Sequence, residues 1–358
     1  MKITSVHAYL EYLPLTKPYT IAYKITSDTE IVFLEIMLEN GMAGIGAANP
    51  FADVVGETPE QSLANLQSGY LDEFIGKDIL QFNHLIDAAM LHFPKQPGTI
   101  AAIDIALHDL FGKFLGIPVM DFYGRQTESL PTSVTIGIKD IKEMLVDAAD
   151  YYKQGFRILK IKTGINVEED IERVKKLSEQ FGASMRIRVD ANQGYQLPDL
   201  TKFIQQTKQL GLELIEQPVK VGQDKLLTEL DEASRKMLVA DESLLNAYSA
   251  WQLSNLPQPY GVYNIKLMKS GGIKGAKEIA VIAKNAGIDL FWGCNDESIV
   301  SITAALHAAY SCSNTRYLDL DGSFDLAKDL VQGGFELKDG YLYPVGLPGL
   351  GFIKSMPS

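Results

Sequence analysis

The segment RILKIKTGINVEEDIERVKKLSEQFGASMRIRVD (157–190) contains two short apolar runs, and each run ends in a charged residue. The first run ends at Lys162 and the second at Asp190, and a loop and a helix fit between them. This spacing is typical of a β/α unit, in which buried parallel strands are short and apolar. The segment therefore predicts a strand, a returning helix and a second, parallel strand.

The same unit recurs along the chain, where polar residues close apolar runs at steps of 24 to 29 residues. Parallel strands that close into a barrel present their C-terminal ends at one mouth. We therefore predict an α/β fold with an eight-stranded (β/α) barrel over 126–322 that offers one chemical group per repeat at this mouth. The predicted strands are 133–138, 157–162, 186–190, 212–216, 237–241, 262–266, 289–293 and 317–321.

A second module is predicted from the residues outside the barrel. Residues 1–48 alternate as strands with a turn at Asn40-Gly41, and residues 59–115 change to a helical period. Strands followed by helices indicate an α+β module over 1–125. The tail, 323–358, contains another strand pair with no barrel strand to join, so we expect it to complete the first module.

Composition and charge exclude several classes of function. The chain carries 33 Lys plus Arg against 45 Asp plus Glu, and this net charge of −12 opposes binding to nucleic acid or to anionic membrane surfaces. No apolar stretch approaches the roughly 18 residues of a membrane span. The stretch MKITSVHAYLEYLPL alternates and carries Lys2 and Glu11, so we do not expect it to act as a secretory signal. Two cysteines, Cys294 and Cys312, are too few for a disulfide framework. We expect a cytoplasmic protein.

Three carboxylates end consecutive predicted strands: Asp190, Glu216 and Asp241. Unpaired carboxylates at one mouth repel one another, and a hard divalent cation relieves that repulsion. Oxygen ligands with open positions favour Mg²⁺. The alternative is that these residues only cap the following helices, but three at adjacent strand ends favour the metal site.

Three lysines face the same mouth. Lys160 and Lys162 are two apart on one strand and so share a face, and Lys266 lies four strands further around an eight-stranded ring. Lysines on opposite sides of a metal-held substrate can reach both faces of one carbon, as proton removal and return with inversion requires. A metal and the Lys160 ammonium would stabilise the developing enediolate charge, and their positive field would leave Lys162 able to act as base. The alternative is a set of salt-bridged structural lysines.

Asp319 and Asp321 form the pair LDLD, two apart and therefore on one face of the last strand. Because the metal already has its ligands, a second acidic pair favours a cation supplied by the substrate, such as an α-ammonium group. The alternative is a salt bridge to a neighbouring basic residue.

The chain resembles the enolase superfamily, its muconate-lactonizing subgroup and, within that, the dipeptide epimerases. The resemblance covers essentially the whole chain, in PLTKPY, AAIDIALHDLFGKFLGIPV, KIKTG, DANQGY, IEQP, ADES, NIKLMKSGG and LDLD. It implies a modified (β/α)₇β barrel with a capping domain, and a dipeptide as substrate. It also implies one Mg²⁺ on the three carboxylates, Lys162 and Lys266 as the acid/base pair, Lys160 on the substrate carboxylate, and Asp319 with Asp321 on the amino end. A Lys base used with Mg²⁺ is the superfamily's known pairing.

Two segments depart from the family pattern, and the second of them bears on specificity. Ala47 replaces a usual glutamate, which we interpret as packing, and Asn295 with Asp296 replaces apolar residues near the substrate side chain. Lys24 resembles a basic residue that reaches a glutamyl side chain and favours L-Ala-D/L-Glu, whereas Asp296 favours a polar or cationic side chain. Thr135, near a strand end, is a further candidate substrate contact.

Several alternatives remain at this point. An o-succinylbenzoate synthase, a cycloisomerase or an N-acylamino acid racemase would use the same metal and lysines without an ammonium site. A Schiff-base aldolase would also place lysine in a barrel mouth. A non-catalytic protein would use the cation only for stability. Barrels of this type often associate, so a homo-oligomer stays open, and no surface feature of the sequence identifies its contact.

Overall fold

The computed structural model describes residues 1–21 and 24–355 of the chain, with side chains described outside 17–26. An antiparallel sheet opens the fold, with β1 (Ile3–Ile21), β2 (Lys24–Leu38) and β3 (Ala43–Ala48) in sequence order. The pairing of β1 with β2 continues through the stretch that the sequence marks as merely polar, because backbone hydrogen bonds need no apolar side chains.

Helices cover this sheet, as the change of period predicts. The longest, α4, lies against β3 and is closed by Gly116 in the left-handed conformation. These helices are α1 (Ala52–Val55), α2 (Pro59–Leu66), α3 (Phe82–His92), α4 (Pro97–Leu115) and α5 (Val119–Phe122), with 3₁₀ turns at Tyr70–Phe74 and Ile79–Gln81.

Eight parallel strands form the barrel in unbroken sequence order, which confirms the predicted fold class. A bridge between Thr132 and Leu318 joins the last strand back to the approach of the first. The strands are β5 (Val134–Ile136), β6 (Ile158–Lys162), β7 (Arg186–Asp190), β8 (Leu212–Glu216), β9 (Leu238–Ala240), β10 (Val262–Ile265), β11 (Asp289–Trp292) and β12 (Thr315–Leu318), preceded by β4 (Leu130–Pro131).

Every barrel strand except the last is followed by a helix, which is the (β/α)₇β arrangement. The helices are α6 (Ile141–Lys153), α7 (Val167–Phe181), α8 (Leu197–Thr207), α9 (Glu232–Lys236), α10 (Ala247–Leu253), α11 (Leu267–Ser270), α12 (Gly272–Ala286) and α13 (Ile299–Tyr310), with a 3₁₀ turn at Asp224–Glu229.

The tail returns to both modules. Its hairpin of β14 (Phe335–Lys338) and β15 (Tyr341–Pro344) pairs with β4, while β13 (Val331–Gly333) pairs with β16 (Phe352–Lys354). Further along, Leu350 donates its N–H to Asp109 on α4. The tail thus contacts the capping module as well as the barrel, and the domain limits at 125 and 322 stay predictions.

The two modules meet beside the segment that carries Lys266. On α4, the buried Asp104 accepts hydrogen bonds from the N–H groups of Ile273 and Lys274, at 2.6 and 3.1 Å, in the first turn of α12. Because α11 and α12 directly follow Lys266, the capping helix holds this part of the mouth in place. Within the described residues, none of the helices combines the length and apolarity that a membrane crossing needs.

Candidate active site

The C-terminal strand ends converge at one mouth, as predicted. Asp190 and Glu216 are the last residues of β7 and β8 and are paired in register, and Asp241 directly follows β9. All three carboxylates are buried. Three acidic groups from neighbouring strands therefore share one poorly solvated space, where they need positive charge.

Lys160 supplies part of that charge from inside the barrel. Its Nζ atom forms an ion pair with Asp319 and lies 3.6 Å from Glu216 Oε2 and 3.9 Å from Asp190 Oδ2. Burial disfavours the charged form, but the surrounding carboxylates, Asp319 and Glu216 foremost, raise the pKa of Lys160 well above its usual value. The charged form of Lys160 is therefore favoured by the carboxylates around it, and its ammonium group lies between Asp319 and the strand-end acids.

Lys162 and Lys266 bind different carboxylates. Lys162 Nζ lies 2.6 Å from Asp190 Oδ2, and Lys266 Nζ lies 2.9 Å from Asp241 Oδ2. Burial opposes the charge on Lys266, but Asp241 and Glu216 together outweigh burial, so the pKa of Lys266 is raised. Their strands, β6 and β10, are four apart in either direction around the ring, so the two ammonium groups approach the mouth from opposite sides.

Sequence reasoning missed two buried residues at this mouth. Lys269, in α11, forms an ion pair with Asp241 Oδ1, and burial lowers the pKa of its ammonium. Asn264 on β10 donates to Glu216 Oε1 at 2.6 Å. Asn264 lies two residues before Lys266, which directly follows β10, so the alternation of side chains along the predicted strand 262–266 could have revealed it.

The donor set fits a hard divalent cation. Glu216 Oε2 is buried and has no hydrogen-bond partner in the described residues, and burial together with Asp190 raises the pKa of Glu216 to about 8. Among the described residues, lysine ammonium groups contact the strand-end acids, and no group of three His, Cys, Asp or Glu side chains is already arranged to hold a metal ion. Asp190, Glu216 and Asp241 nevertheless present oxygen donors with unmet demand for positive charge, which is the chemistry that Mg²⁺ requires.

Asp319 and Asp321 lie at the seam between β12 and β5. Ser133 donates its hydroxyl to Asp319 Oδ1 at 2.6 Å, and Thr135 donates its backbone N–H to Asp321 Oδ2 at 2.8 Å. Burial and the neighbouring Asp319 raise the pKa of Asp321 to about 7. Thr135 is thus placed beside the aspartate pair, through its backbone.

The residues predicted for specificity lie where the loop after β11 meets the capping module. Asn49 donates its side-chain amide to the backbone oxygen of Asp296 and accepts, at its own backbone oxygen, from Asn295 Nδ2 at 3.1 Å. Ala47 is buried in the core. Lys24 begins β2, but its side chain lies outside the described part of the structure.

Comparison with protein families covers both modules. Residues 3–124 match the family described as "Mandelate racemase / muconate lactonizing enzyme, N-terminal domain", and residues 143–353 match "Enolase C-terminal domain-like".

Individual relatives match along their whole length. The L-Lys-D/L-Arg epimerase of Desulforapulum autotrophicum is 49% identical over 351 residues, which is 98% of this chain and 99% of that protein. The L-Ala-D/L-Glu epimerase of Bacillus subtilis is 30% identical over 356 residues, 99% of this chain and 97% of that protein.

A solved structure extends the likeness to three dimensions. The dipeptide epimerase of Methylococcus capsulatus, complexed with Mg and the dipeptide L-Arg-D-Lys, has a TM-score of 0.96 at 45% identity and covers 99% of this chain and 100% of that one. Both domain families match this chain, and the similarity to these epimerases extends over nearly the full length of both chains. This chain therefore belongs to the enolase superfamily, in the mandelate racemase and muconate-lactonizing enzyme group.

Proposed function

We propose that the chain is a Mg²⁺-dependent dipeptide epimerase that inverts the α-carbon of the C-terminal residue by 1,1-proton transfer. One observation carries this proposal: Lys162 and Lys266 lie against different carboxylates on opposite sides of the mouth. Inversion requires a base on one face of the α-carbon and an acid on the other. In the reverse direction the two lysines exchange these roles.

The three strand-end carboxylates would hold the metal ion. Mg²⁺ bound by Asp190, Glu216 and Asp241 supplies stabilisation of the negative charge that develops on the substrate carboxylate as the α-proton leaves. The buried Lys160 ammonium is placed to donate to that carboxylate as well, since it already lies within 4 Å of two of these acids.

The aspartate pair would bind the free amino end of the dipeptide. Asp319 accepts from Ser133, directly before β5, and Asp321 accepts from Thr135 on β5. Burial and the neighbouring Asp319 carboxylate raise the pKa of Asp321 to about 7, which indicates too little positive charge around the pair. An α-ammonium group supplies that charge. Relatives that act on N-acylated amino acids need no such site, so this pair favours a dipeptide substrate.

For the side chains, we propose a dipeptide of basic residues. Support comes from the 49% identical relative, an L-Lys-D/L-Arg epimerase, and from the Methylococcus capsulatus epimerase, whose structure is complexed with L-Arg-D-Lys. Asp296 near the predicted side-chain pocket and the net charge of −12 agree with a cationic substrate. L-Ala-D/L-Glu, which Lys24 favours, is the second candidate, supported by the 30% identical relative.

A dipeptide library incubated with the protein and Mg²⁺ in deuterium oxide tests these proposals. We expect solvent deuterium to enter the α-position of the C-terminal residue, fastest in Lys- and Arg-containing dipeptides, as read by mass spectrometry. Faster exchange of L-Ala-L-Glu would change the proposed substrate class to L-Ala-D/L-Glu and would leave the proposed reaction unchanged. Exchange confined to N-acylated amino acids, or borohydride trapping of a carbonyl substrate on Lys162, would overturn the dipeptide epimerase.

Compartment and assembly are also proposed. We propose a cytoplasmic location, supported by Cys294 and Cys312, which are both free thiols. We also propose that the chain forms a homo-oligomer, because barrels of this type often associate. Analytical ultracentrifugation would measure its mass in solution.

A further inference from the structure

The hydroxyl of Ser133 lies beside Asp319 at the barrel seam. Ser133 is fully buried, and its Oγ lies 2.6 Å from Asp319 Oδ1, while the other carboxylate oxygen forms the ion pair with Lys160. Each carboxylate oxygen of Asp319 therefore has its own donor, and among the described residues Ser133 is the one that donates to Asp319 from the side of β5.

Arg188 determines where the Ser133 hydrogen points. Ser133 Oγ also lies 3.2 Å from the carbonyl oxygen of Leu318, so its single hydrogen has two acceptors to choose from. That carbonyl already accepts from Arg188 Nη1 at 2.7 Å and from the Ser133 backbone N–H at 3.0 Å. A carbonyl oxygen has two lone pairs, so it is saturated. Arg188 Nη1 also donates to Ser133 Oγ at 3.1 Å, which leaves the hydroxyl hydrogen for Asp319.

Arg188 is itself immobilised inside the barrel. Its Nε donates to Glu213 Oε2 at 2.6 Å, and its guanidinium carbon lies 5.2 Å from the ring centroids of both Phe291 and Tyr317. The side chain is 2% exposed. A planar cation held by an ion pair and two rings has one orientation, so the donors that it offers to Ser133 are fixed.

We infer that Arg188 and Ser133 are positioning residues that orient Asp319 towards a substrate's free ammonium group. This inference rests on the proposed function, in which Asp319 binds the amino end of a dipeptide. Without the Ser133 hydroxyl, Asp319 keeps only its pairing with Lys160 and is free to turn towards it. The chain then loses its preference for substrates with a free amine over N-acylated ones.

Calorimetric binding of L-Lys-L-Arg and of its N-acetyl derivative, both with Mg²⁺, tests this inference. We expect wild-type protein to prefer the free dipeptide and Ser133→Ala to reduce this preference about tenfold, the size of one charge-assisted hydrogen bond. Ser133→Thr, which keeps the hydroxyl, should keep the wild-type preference for the free dipeptide. Arg188→Lys, which keeps the charge and loses the planar fork, should act like Ser133→Ala.

Ser62→Ala is the matched control, because Ser62 is also buried and donates to a buried carboxylate, Glu57 Oε1, at 2.6 Å in the capping module. It should leave the preference unchanged. If Arg188→Lys fails to fold, the comparison of Ser133→Ala with Ser133→Thr still tests the inference. An unchanged preference in Ser133→Ala, with an active wild type, overturns this inference alone. A wild type that exchanges no dipeptide overturns the proposed function and this inference with it.

Discussion

Lys269 directs its ammonium group onto Asp241. Lys269 Nζ pairs with the carboxylate Oδ1 and donates to the backbone oxygen of Asp241 at 2.7 Å, and it also donates to the backbone oxygen of Asn264 at 3.1 Å. These contacts use all three hydrogens of the ammonium. Since Lys266 holds Oδ2, Asp241 lies between two lysines, one of which faces the mouth while the other is enclosed.

Replacing Lys269 with methionine should destabilise the metal-free protein by about 3 kcal/mol, because it removes one partner of a buried ion pair. Asp241 then keeps Lys266 but loses its second cation, so Mg²⁺ should raise the free energy of unfolding more in the variant than in the wild type. Urea denaturation with and without Mg²⁺ measures both effects.

Lys277→Met is the control for this change, since Lys277 is a partly buried lysine on α12 that contacts Ser311 and no carboxylate at the mouth. Its gain in stability from Mg²⁺ should equal that of the wild type. An equal gain in Lys269→Met would show that Lys269 does not share the charge of Asp241 with the metal.

Single replacements of the two flanking lysines should separate the halves of the reaction. Lys162→Gln and Lys266→Gln should each lose epimerisation by about 10³-fold, within the usual effect of a general acid or base. The lysine that remains reaches one face of the α-carbon, so each variant should still exchange the α-hydrogen of one epimer. Proton NMR in deuterium oxide, with each epimer in turn, identifies which one. Exchange of the same epimer by both variants would contradict the opposed arrangement.

Glu216→Gln should remove the stabilisation by Mg²⁺ while leaving the metal-free protein at least as stable as wild type. The amide keeps an oxygen for Asn264 to donate to. It also replaces a buried carboxyl group whose ionised form is disfavoured by burial and by Asp190, which raise its pKa to about 8. Thermal melts over a range of Mg²⁺ concentrations provide the measurement. Glu297→Gln changes another buried acid outside the proposed ligand set and should melt with the wild-type dependence on Mg²⁺.

His307 should make the fold sensitive to acid. Burial lowers the pKa of His307 to about 3, from 6.5 in an unfolded chain, and its Nε2 has no hydrogen-bond partner in the described residues. Between pH 6.5 and pH 3 His307 is protonated in the unfolded state and neutral in the folded state. The free energy of unfolding therefore falls by about 1.4 kcal/mol for each pH unit in this range.

Urea denaturation at pH 7.5 and pH 5.0 measures this loss, of which about 2 kcal/mol should come from His307. His307→Gln, which does not titrate, should lose that much less across the same interval. Parallel losses in the two proteins would assign the acid sensitivity to other groups.

Much of the site was predictable because its residues follow a local rule. Asp190 and Glu216 end buried strands, and a parallel barrel brings such ends together without further information. The side-chain assignments that depend on loops were less accessible. Asp296 and Asn295 contact the capping module through Asn49, a pairing across 246 and 247 residues that no periodic pattern announces.

The sequence by itself determined the barrel, its mouth and the set of groups offered there, because the period of apolar runs encodes strand and helix within about thirty residues of chain. Only the tertiary structure decided how those groups are held. The contacts of Ser133 with Asp319, of Arg188 with Leu318 and of Lys269 with Asp241 join different repeats through buried side chains. Their geometry depends on barrel closure and packing, which are properties of the whole fold.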